Sequence, residues 1–598
     1  MLSNKDDTLF INSYIRYSGH YFFFALAIAL FSTLMAPSYS QPLSNGIELY
    51  ENTNSKITPT LTRSSAFSNN NEWYVFINQR TGELQSASIS TGNVNTLFDA
   101  SMVHSTFTDD SLTLKISNDS EWVVFAASPN SATPFENLEL YAAPVDGSSA
   151  SRRLTFIGLT NNSVSDFEIG PDSRSVVFLA NHDTTHQSEL YSVQLNAPHA
   201  VVRLNQDLIA NGNVGSACGY SSKFKISSDG STVIYQANAA VIDEFNLYSV
   251  PIDRNTEPKK LNLPIEIGTD SLVNCSTDEG TTRPSEGILQ YDFMANQALI
   301  AYQIQPKGQH YRQAIYSVPI DGGISKLIYQ TAPPLITNHM SFLTSTNTDY
   351  IVVRTSEVET PFISNDFGDK LISVTANGAI EKTLFSGDEN NGFTARPIGV
   401  TDNELLIFST FRATTTGNEE RIKASSLSEN GELELIKTSS IHSARLSADG
   451  LGVFFLSDAF TKPNNFALYK VSPSGGPLVF VGGPLISDGE IRNYQLSENG
   501  EHIAYLADRQ TNNTFELFST PSHKTGTNKV NQQLSTDEDV RDYLISNNGK
   551  HIAYQNLRQR SNGRVDLTTY LQAIQNPSNE ALCFPVKLKN SSVSVICL

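Results

Sequence analysis

Cysteine, tryptophan and methionine are scarce in this chain of 598 residues, which holds four, two and five of them. Basic residues are also in deficit, because 41 lysines and arginines stand against 61 acidic residues and give a formal net charge of −20. Nucleic acids and anionic lipid surfaces require a basic footprint, so this charge argues against both as ligands. It favours a basic or neutral partner over an acidic one.

Long apolar runs are missing except near the amino terminus. There, an apolar run from Tyr21 to Met35 follows a polar lead and precedes small residues at the spacing that a signal peptidase reads. The run is shorter than the roughly twenty residues of a membrane span. We predict a signal peptide over residues 1–40, cleaved near Ser40–Gln41, with an uncleaved anchor as the alternative. The mature chain is then expected to be periplasmic or secreted, without membrane insertion.

The motifs of common hydrolases and nucleotide-binding proteins are absent as well. The sequence holds no Gly-x-Ser-x-Gly, no Gly-x-x-x-x-Gly-Lys-(Ser/Thr) and no His-Glu-x-x-His. The stretch Gly215–Gly219 contains a serine between glycines but has the wrong spacing for a nucleophile elbow. The sequence therefore gives no motif-based reason to expect a serine nucleophile, a phosphate-binding loop or a zinc protease.

One sequence motif recurs about every fifty residues. In its clearest copy, the turn Ser227–Gly230 precedes the apolar strand Val233–Tyr235, and Leu247–Val250 follows before a second turn. Asx-Gly before an apolar run is a hairpin signal, because the tight turn requires a positive φ. The apolar strand occurs ten times and closes at positions 76, 125, 178, 235, 302, 353, 408, 455, 505 and 554.

This recurrence predicts an all-β fold. Each repeat holds two clear strands, with a shorter strand before them and another after them, and no sustained helical period is present. A four-stranded unit cannot bury both of its apolar faces alone, whereas units stacked around an axis can. We predict a β-propeller of about ten four-stranded units over residues 41–575.

The repeat resembles that of TolB-type propellers. The pattern Ser-x-Asp-Gly-x-x-(Val/Ile)-x-(Phe/Tyr), followed by Leu-Tyr-Ser-Val-x-x-Asp-Gly-Gly, is similar to theirs and extends over roughly residues 67–575. TolB itself carries a small α/β domain before its propeller, for which this chain shows no counterpart, and this chain has more repeats. The resemblance therefore implies the architecture, and it supplies neither a partner nor a reaction.

The repeats could form one ring or two, or a seven- or eight-bladed ring with extra sheet outside. No linker interrupts the period, which favours one body, and the wide gap between residues 235 and 302 is the best candidate for a seam. The segment Ile47–Tyr50 to Leu61–Thr62 resembles the second half of a repeat, and the tenth unit has a weak second half. We expect this amino-terminal strand to complete the last blade and close the ring.

The four cysteines fit an exported chain. Cys218 and Cys275 flank the fourth repeat, and Cys583 and Cys597 bracket a segment of fifteen residues close to the carboxyl terminus. An even count in an exported chain predicts two disulfides. Three pairings are possible, and we favour the two that are local in sequence, with a disulfide-closed tail over residues 576–598. Four free thiols are the alternative, and the absence of Cys-x-x-Cys disfavours a metal.

Few residues suggest a metal site. His182, Asp183 and His186 are the densest cluster of metal-ligand types, but they lie in a loop, and a solvated loop is the simpler interpretation. The loops Gly387–Gly392 and Asp537–Asp539 do not match the twelve-residue calcium pattern. We predict no cofactor and no metal. Four further histidines could converge at the centre of the ring: His104, His310, His339 and His442.

These observations favour an exported, non-enzymatic binding protein. A propeller presents variable loops on a rigid frame, and such loops commonly carry recognition. Ala127–Pro134 and Phe411–Asn418 are examples, and the expected partner is a protein or a glycan of the cell envelope or extracellular space. The alternative is a propeller-fold polysaccharide lyase or hydrolase, with carboxylates or histidines meeting at the central tunnel. The sequence sets no oligomeric state.

Overall fold

The structure is a computed structural model that describes most of the chain between residues 47 and 597. The described ranges are 47–55, 61–78, 80–99, 114–128, 138–155, 163–181, 187–215, 223–241, 244–264, 287–294, 297–305, 313–331, 336–345, 348–358, 369–379, 381–387, 393–415, 417–523, 526–560, 565–574, 583–587 and 593–597.

Ten antiparallel sheets of four strands each follow one another along the chain, and they are named blades 1 to 10 here, with strands A to D in each. Blades 1 to 5 consist of β2 (Ser65–Phe67), β3 (Trp73–Ile77), β4 (Leu84–Ser88) and β5 (Val94–Phe98); β6 (Leu114–Ile116), β7 (Trp122–Ala127), β8 (Glu139–Pro144) and β9 (Arg152–Arg153); β10 (Val164–Ile169), β11 (Ser175–Ala180), β12 (Glu189–Gln194) and β13 (Ala197–Arg203); β14 (Phe224–Ile226), β15 (Thr232–Ala237), β16 (Asn246–Pro251) and β17 (Lys259–Lys260); and β18 (Gly287–Phe293), β19 (Leu299–Gln305), β20 (Ala314–Pro319) and β21 (Lys326–Gln330).

Blade 10 takes its strand D from the start of the chain. Blades 6 to 10 consist of β22 (Ile336–Thr344), β23 (Tyr350–Val358), β24 (Asp369–Thr375) and β25 (Glu381–Ser386); β26 (Thr394–Val400), β27 (Leu405–Thr414), β28 (Gly417–Ser426) and β29 (Glu432–Thr438); β30 (His442–Leu446), β31 (Val453–Ser457), β32 (Ala467–Val471) and β33 (Val479–Phe480); β34 (Ile491–Leu496), β35 (His502–Ala507), β36 (Glu516–Pro521) and β37 (Asn528–Lys529); and β38 (Glu538–Ile545), β39 (His551–Gln559), β40 (Val565–Ala573) and β1 (Ile47–Ser55).

The all-β prediction is confirmed. The described residues hold a single helical turn, α1 (Leu61–Ser64), and none of their helices is long and apolar enough to cross a membrane. A separate two-stranded hairpin follows the propeller, with strands β41 (Cys583–Lys587) and β42 (Val593–Cys597).

The blades form one closed ring. The described residues form ten apolar cores between neighbouring blades, one for each pair. The core that joins the last blade to the first contains Phe67 and Tyr74 of blade 1 with Ala553 and Leu571 of blade 10. Because every blade shares a core with both neighbours, the alternative of two rings is excluded. The proposed seam between residues 235 and 302 is also wrong, because blades 4 and 5 pack together directly.

The amino-terminal strand closes the ring, as predicted. Strand β1 pairs antiparallel with β40, from Ile47 opposite Leu571 to Ser55 opposite Val565. Hydrogen bonds between turns strengthen the same junction, because the Asn547 side chain of blade 10 donates to Asn69 of blade 1. The second part of the predicted segment does not extend the strand, because Leu61 begins α1.

The two halves of the repeated sequence motif form neighbouring strands, B and C, and their aromatic residues contact each other. Phe178, which closes strand B of blade 3, lies opposite Tyr191 of strand C, with ring centroids 5.5 Å apart. Equivalent stacked pairs occur in six more blades. Cross-strand aromatic pairs stabilise a sheet and fill the space between blades. The periodic aromatic residues are therefore explained by packing.

The Ser-x-Asp-Gly motif forms the turn between strands A and B. In blade 4 the Ser227 hydroxyl donates to Asp229 and accepts from the Thr232 amide at 3.0 Å, and Gly230 has a φ of 73°. Glycine adopts such a left-handed conformation without the steric cost that a side chain imposes. The side-chain hydrogen bonds and the glycine together set this turn.

One of the predicted recognition loops is instead regular structure. The segment Phe411–Asn418 lies largely within β27 and β28, which form a hairpin of ten-residue strands. Strands B and C of most other blades have five or six residues. Strands B and C are therefore longer in blade 7 than in most other blades, and most of the expected variable loop belongs to these two strands.

Candidate functional site

The inner wall of the ring is formed by the A strands, because A strands of neighbouring blades contact one another around the axis. Each A strand begins at the end of the ring that carries the B–C connections. This end is termed the BC end, and the A–B turns lie at the opposite end. A binding or catalytic site at a propeller tunnel would use side chains of the A strands, so their charges are decisive.

Most of the metal-ligand candidates lie outside the described residues. This holds for the cluster of His182, Asp183 and His186, and also for His104 and His310. Among the described residues, no group of three or more His, Cys, Asp or Glu side chains could hold a metal ion.

The two remaining histidines lie on A strands of different blades. His339 belongs to β22 of blade 6, and His442 begins β30 of blade 8. The His442 side chain is exposed and packs edge-on against Phe466, with ring centroids 4.6 Å apart. The convergence of the four histidines at the axis therefore stays a prediction, because two of them lie outside the described residues and the other two belong to different blades.

The acidic turn at Asp537–Asp539 is engaged in structural contacts. Asp537 forms an ion pair with Arg558 at 3.0 Å, and Asp539 accepts the Phe515 amide at 2.8 Å. Glu538 accepts from Asn556. These carboxylates orient neighbouring segments, as expected for a solvated turn. In the other oxygen-rich loop, residues 388–392 lie outside the described residues.

Of the predicted disulfide cysteines, Cys218 and Cys275 lie outside the described residues, whereas Cys583 and Cys597 occupy the terminal hairpin. These two face each other in its register. Directly opposed residues in an antiparallel pair have Cα atoms about 4.5–5.5 Å apart, which is within the range that a disulfide spans. The predicted Cys583–Cys597 bridge is thus compatible with the backbone.

Charges on the A strands of blades 2 to 5 are paired between neighbours. Lys115 of blade 2 forms an ion pair with Glu168 of blade 3. Lys225 of blade 4 does the same with Asp292 of blade 5, at 2.8 Å. All four occupy the same place in the strand, so this half of the wall alternates positive and negative charges and neutralises them.

The A strands of blades 7 to 10 carry unpaired positive charge instead. Arg396, Arg445, Arg492 and Arg541 lie on β26, β30, β34 and β38, one in each of four consecutive blades, and all four are exposed. Their side chains make no ion pair or hydrogen bond to any described residue. These four residues are termed the arginine arc. It is a concentration of positive charge in a chain whose formal net charge is −20.

Local backbone geometry presents two of these arginines. The register of β34 with β35 shifts between Ile491 and Asn493, so that Arg492 is the extra residue of a β-bulge. The register of β38 with β39 shifts in the same way around Arg541. A bulge changes the direction of its side chain relative to the regular pleat. Both arginines lie in the first half of their strands, toward the BC end.

One contact and one electrostatic effect help to locate the arc. The guanidinium carbon of Arg492 lies 3.5 Å from the ring centroid of Phe515, which is buried. Burial raises the pKa of Tyr494 and of Tyr543, and the positive charge of Arg445 opposes this rise at both phenols. Arg445 of blade 8 therefore lies close enough to the A strands of blades 9 and 10 to influence them.

A carboxylate lies beside the arc at the junction of blades 7 and 8. Glu420 on β28 accepts the Ile441 amide at 2.9 Å. Burial raises the pKa of Glu420, and this amide and the charges of His442 and Arg396 act in the opposite direction. Arginine, histidine and a carboxyl group of raised pKa thus share one region of the BC end.

Sequence reasoning missed the arginine arc. Its signal appears when the A strands are aligned, because Arg396, Arg492 and Arg541 each precede by two residues the aligned positions Ile398, Tyr494 and Tyr543. Histidines and acidic clusters are the usual signals of a metal or catalytic site, whereas these arginines are far apart in the sequence and are outnumbered in the net charge of −20. A basic cluster inside an acidic chain becomes visible only after the strands are placed around an axis.

Comparisons with known proteins give a fold-level likeness alone. No protein-family model matches the chain, and no curated protein matches it. Among solved structures, Porphyromonas gingivalis dipeptidyl peptidase 4 aligns at 11% identity and TM-score 0.40, over 91% of this chain and 67% of that one. Prolyl oligopeptidase B from Galerina marginata aligns at 11% identity and TM-score 0.33, over 66% of this chain and 56% of that one.

A putative TolB from Agrobacterium tumefaciens aligns at 14% identity and TM-score 0.24, over 49% of this chain and 84% of that one. This chain spans just over half of the length of the Galerina protein. Similarity at this level reaches the fold and carries no conclusion about activity, substrate or partner.

Proposed function

We propose that this chain is an exported, non-enzymatic propeller that binds a protein or glycan of the cell envelope or extracellular space at the BC end of its ring. The observation that carries the proposal is the arginine arc, in which four exposed, unpaired guanidinium groups line one side of the inner wall. Arginine in this state is available to an external ligand, because no described side chain satisfies its five donors.

The frame that holds the arc is rigid. Strand B of blade 9 is buried through Ile503, Ala504 and Tyr505, and each blade is packed on both sides. A preorganised frame lowers the entropic cost of binding, since the side chains that contact the ligand already have a fixed base. This combination suits recognition of a ligand that stays unchanged.

Export is part of the proposal. The apolar run Tyr21–Met35 and the four cysteines motivate it, and the register that places Cys583 opposite Cys597 supports the second predicted disulfide. Amino-terminal sequencing of the protein produced in a Gram-negative host should begin at or near Gln41. Non-reducing peptide mapping should recover Cys583–Cys597 and Cys218–Cys275. Four thiols that alkylate in the native protein would contradict export through an oxidising compartment.

A second candidate function, that of a polysaccharide hydrolase or lyase, is favoured by the carboxyl group of Glu420. Glu420 has a raised pKa and lies with His442 beside the arc, as a general acid would in a polysaccharide hydrolase or lyase. Its carboxylate is also the acceptor for the Ile441 amide, which gives it a structural role without any reaction. The enzyme is therefore the alternative, and Glu420 is the described residue on which it depends.

One experiment separates the two functions. The full chain is incubated with a panel of polysaccharides and peptides, and retention and product formation are measured in the same samples. Binding without new reducing ends, unsaturated products or shortened peptides is the expected result. Turnover that E420Q abolishes would establish the enzyme at this end of the ring. Turnover lost on replacement of His182 or His186 would place the chemistry in the loop of blade 3.

A further inference from the structure

We infer that the arginine arc is a binding site for an anionic polysaccharide, whose successive uronate carboxylates bind Arg396, Arg445, Arg492 and Arg541. The inference rests on the proposed binding function and names its ligand class. An extended chain with a carboxylate on each sugar can contact several neighbouring blades at once. Arginine matches a carboxylate through two parallel N–H···O hydrogen bonds.

The fold does not require arginine at these positions. The same β-bulge occurs on the A strands of blades 3 and 5, where the extra residues are Ser165 and Leu289. A bulge that accepts serine and leucine elsewhere places no demand for positive charge on Arg492 and Arg541. Their identity is therefore explained better by a ligand than by the backbone.

The ion pairs of other arginines also set the arc apart. Outside the arc, several arginines of the sheets meet carboxylates, as Arg153 does with Glu139, Arg203 with Glu189, and Arg354 with Asp369. Arg445 has no such partner, because the aligned residues of its neighbouring blades are Gly399 and Gln495. At the same level, blades 2 to 5 place acid against base. Arg445 is thus unpaired at an A-strand position where blades 2 to 5 form ion pairs.

Two aromatic rings support the site. Phe515 holds the Arg492 guanidinium by its flat face, which leaves the N–H edges for a ligand. Phe411 is 40% exposed, and its partner in the register is Thr394, whereas Ser409 pairs with Arg396. Alternation therefore places Phe411 and Arg396 on one face of blade 7. An exposed ring beside a guanidinium offers a sugar an apolar platform and its carboxylate a partner.

The surroundings favour a glycan over a protein. Interface cores between proteins are rich in buried apolar anchors and poor in charge. In the described parts of blades 7 to 10, the exposed large apolar residues are Phe411, Leu433 and Leu451. Leu433 lies on an outer strand, and Leu451 lies in an A–B turn at the opposite end. The exposed neighbours along the A strands are instead His442, Ser443 and Asn493, which can hydrogen-bond hydroxyl groups.

The acidic character of the whole chain does not prevent this binding. Charges separated by more than about 8 Å are largely screened at physiological ionic strength, so a polyanion at the arc interacts mainly with nearby groups. The nearest carboxylate on the same face of blade 7 is Glu420, which is already a hydrogen-bond acceptor for Ile441. In blade 10, burial raises the pKa of Asp542 and the charge of Arg541 opposes this rise, and the carboxylate already accepts the Leu61 amide at 2.7 Å. The four arginines outnumber these two carboxylates, so an anion is favoured at the arc although the formal charge of the chain is −20.

The test titrates the full chain with alginate oligosaccharides, which are polyuronates, by calorimetry. Neutral dextran and poly-L-glutamate are parallel probes. The variants are R445Q/R541Q and R396Q, and the matched control is R174Q, which removes an exposed arginine from an A–B turn of blade 3. Thermal unfolding of each variant is measured first, and R396Q makes the same test if the double variant fails to fold.

We expect wild type and R174Q to bind alginate alike and to show no binding of dextran. Each arginine removed should weaken alginate binding about tenfold, which is the loss expected for one charge-assisted hydrogen bond. Unchanged alginate binding by both arc variants, or poly-L-glutamate bound as tightly as alginate, would overturn the inference. Binding of dextran or of a protein partner that ignores the arc would overturn it too and leave the proposed function standing. Depolymerised alginate would contradict the proposed function itself.

Discussion

At the scale of single residues, burial rather than residue type decides what each aromatic side chain does. Phe178 is fully buried between blades 2 and 3, whereas Phe411 is 40% exposed on the hairpin of blade 7. Phe178→Ala should lower the free energy of unfolding by about 3–5 kcal/mol, because it removes a packed ring and leaves a cavity. Denaturant unfolding monitored by circular dichroism measures this loss.

Phe411→Ala is the matched control for that prediction. It should change stability by less than about 0.5 kcal/mol, as substitutions at exposed positions usually do. Comparable losses for both variants would show that Phe411 is buried in solution, and it could then not face a ligand.

Glycine in the A–B turn is required by backbone conformation. Gly450 has a φ of +67°, and a Cβ placed there would lie 3.5 Å from the nearest heavy atom, which is ordinary contact. Gly450→Ala should therefore cost about 1–2 kcal/mol from the left-handed conformation alone. Gly450→Asn should cost less, because asparagine adopts this conformation more readily. Thermal unfolding that ranks asparagine below alanine would contradict this explanation.

A buried histidine makes stability depend on pH. Burial lowers the pKa of His551 from 6.5 to about 4, and the adjacent Lys550 contributes in the same direction. Between these two values the unfolded chain binds more protons than the folded chain. The stabilising effect is therefore complete above about pH 6.5 and is lost as the pH falls toward 4, by at most about 3 kcal/mol.

Urea unfolding across this pH range tests the assignment. His551→Gln should flatten the decline between pH 6.5 and 4, whereas His523→Gln, which changes an exposed histidine, should keep the wild-type profile. An equally steep decline in His551→Gln would assign the pH dependence to other groups.

Much of this residue-level picture could be predicted from the sequence. Nine of the ten closing residues are aromatic, and Asx-Gly precedes the apolar strand at Gly230, Gly450, Gly500 and Gly549, so periodicity identified them as packing and turn residues. Arg492 and Arg541 could not be found in this way, because a β-bulge has no reliable sequence signature and decides which side chain is presented.

At the scale of structural elements, the most consequential strand is β1. It is the outer strand of blade 10, although it precedes the other described strands in the chain, and it joins the two ends of the propeller. Without β1, blade 10 would keep three strands, and β40 would become an exposed edge. The tail hairpin of β41 and β42 forms a separate sheet and closes nothing.

Two truncations test this difference. Deletion of residues 41–56 should lower the free energy of unfolding by several kcal/mol, since each lost backbone hydrogen bond is worth about 0.5–1.5 kcal/mol. Deletion of residues 576–598 should leave the ring's unfolding transition almost unchanged. Equal effects of the two deletions would contradict the closure by β1.

The sequence predicted this closure because Ile47–Tyr50 matched the second half of a repeat while the second half of the tenth unit was weak. It was wrong about Phe411–Asn418, where a long polar segment was interpreted as a loop. The strand pattern of β27 and β28 continues through Thr410–Thr414 and Gly417–Arg421, but polar residues at an exposed hairpin do not alternate clearly with apolar ones.

At the scale of the whole molecule, the number of rings could not be derived from the repeat. Ten similar units satisfy local pairing equally well in one ring or in two, and only the contact between the last and first blades decides. Net charge gives no spatial distribution either, and the partner that it favours stays a prediction. A value of −20 favoured a basic or neutral partner, whereas the ring gathers four unpaired arginines on one side of its inner wall.

In the proposed function, a rigid ring of ten blades binds an anionic ligand at the arginine arc and leaves it intact. The most direct measurement is equilibrium binding of an alginate oligosaccharide to the full chain, followed by mass spectrometry of the recovered sugar. We expect saturable binding that R445Q/R541Q weakens and a sugar of unchanged mass. Absence of binding, or recovery of shortened or unsaturated fragments, would contradict it.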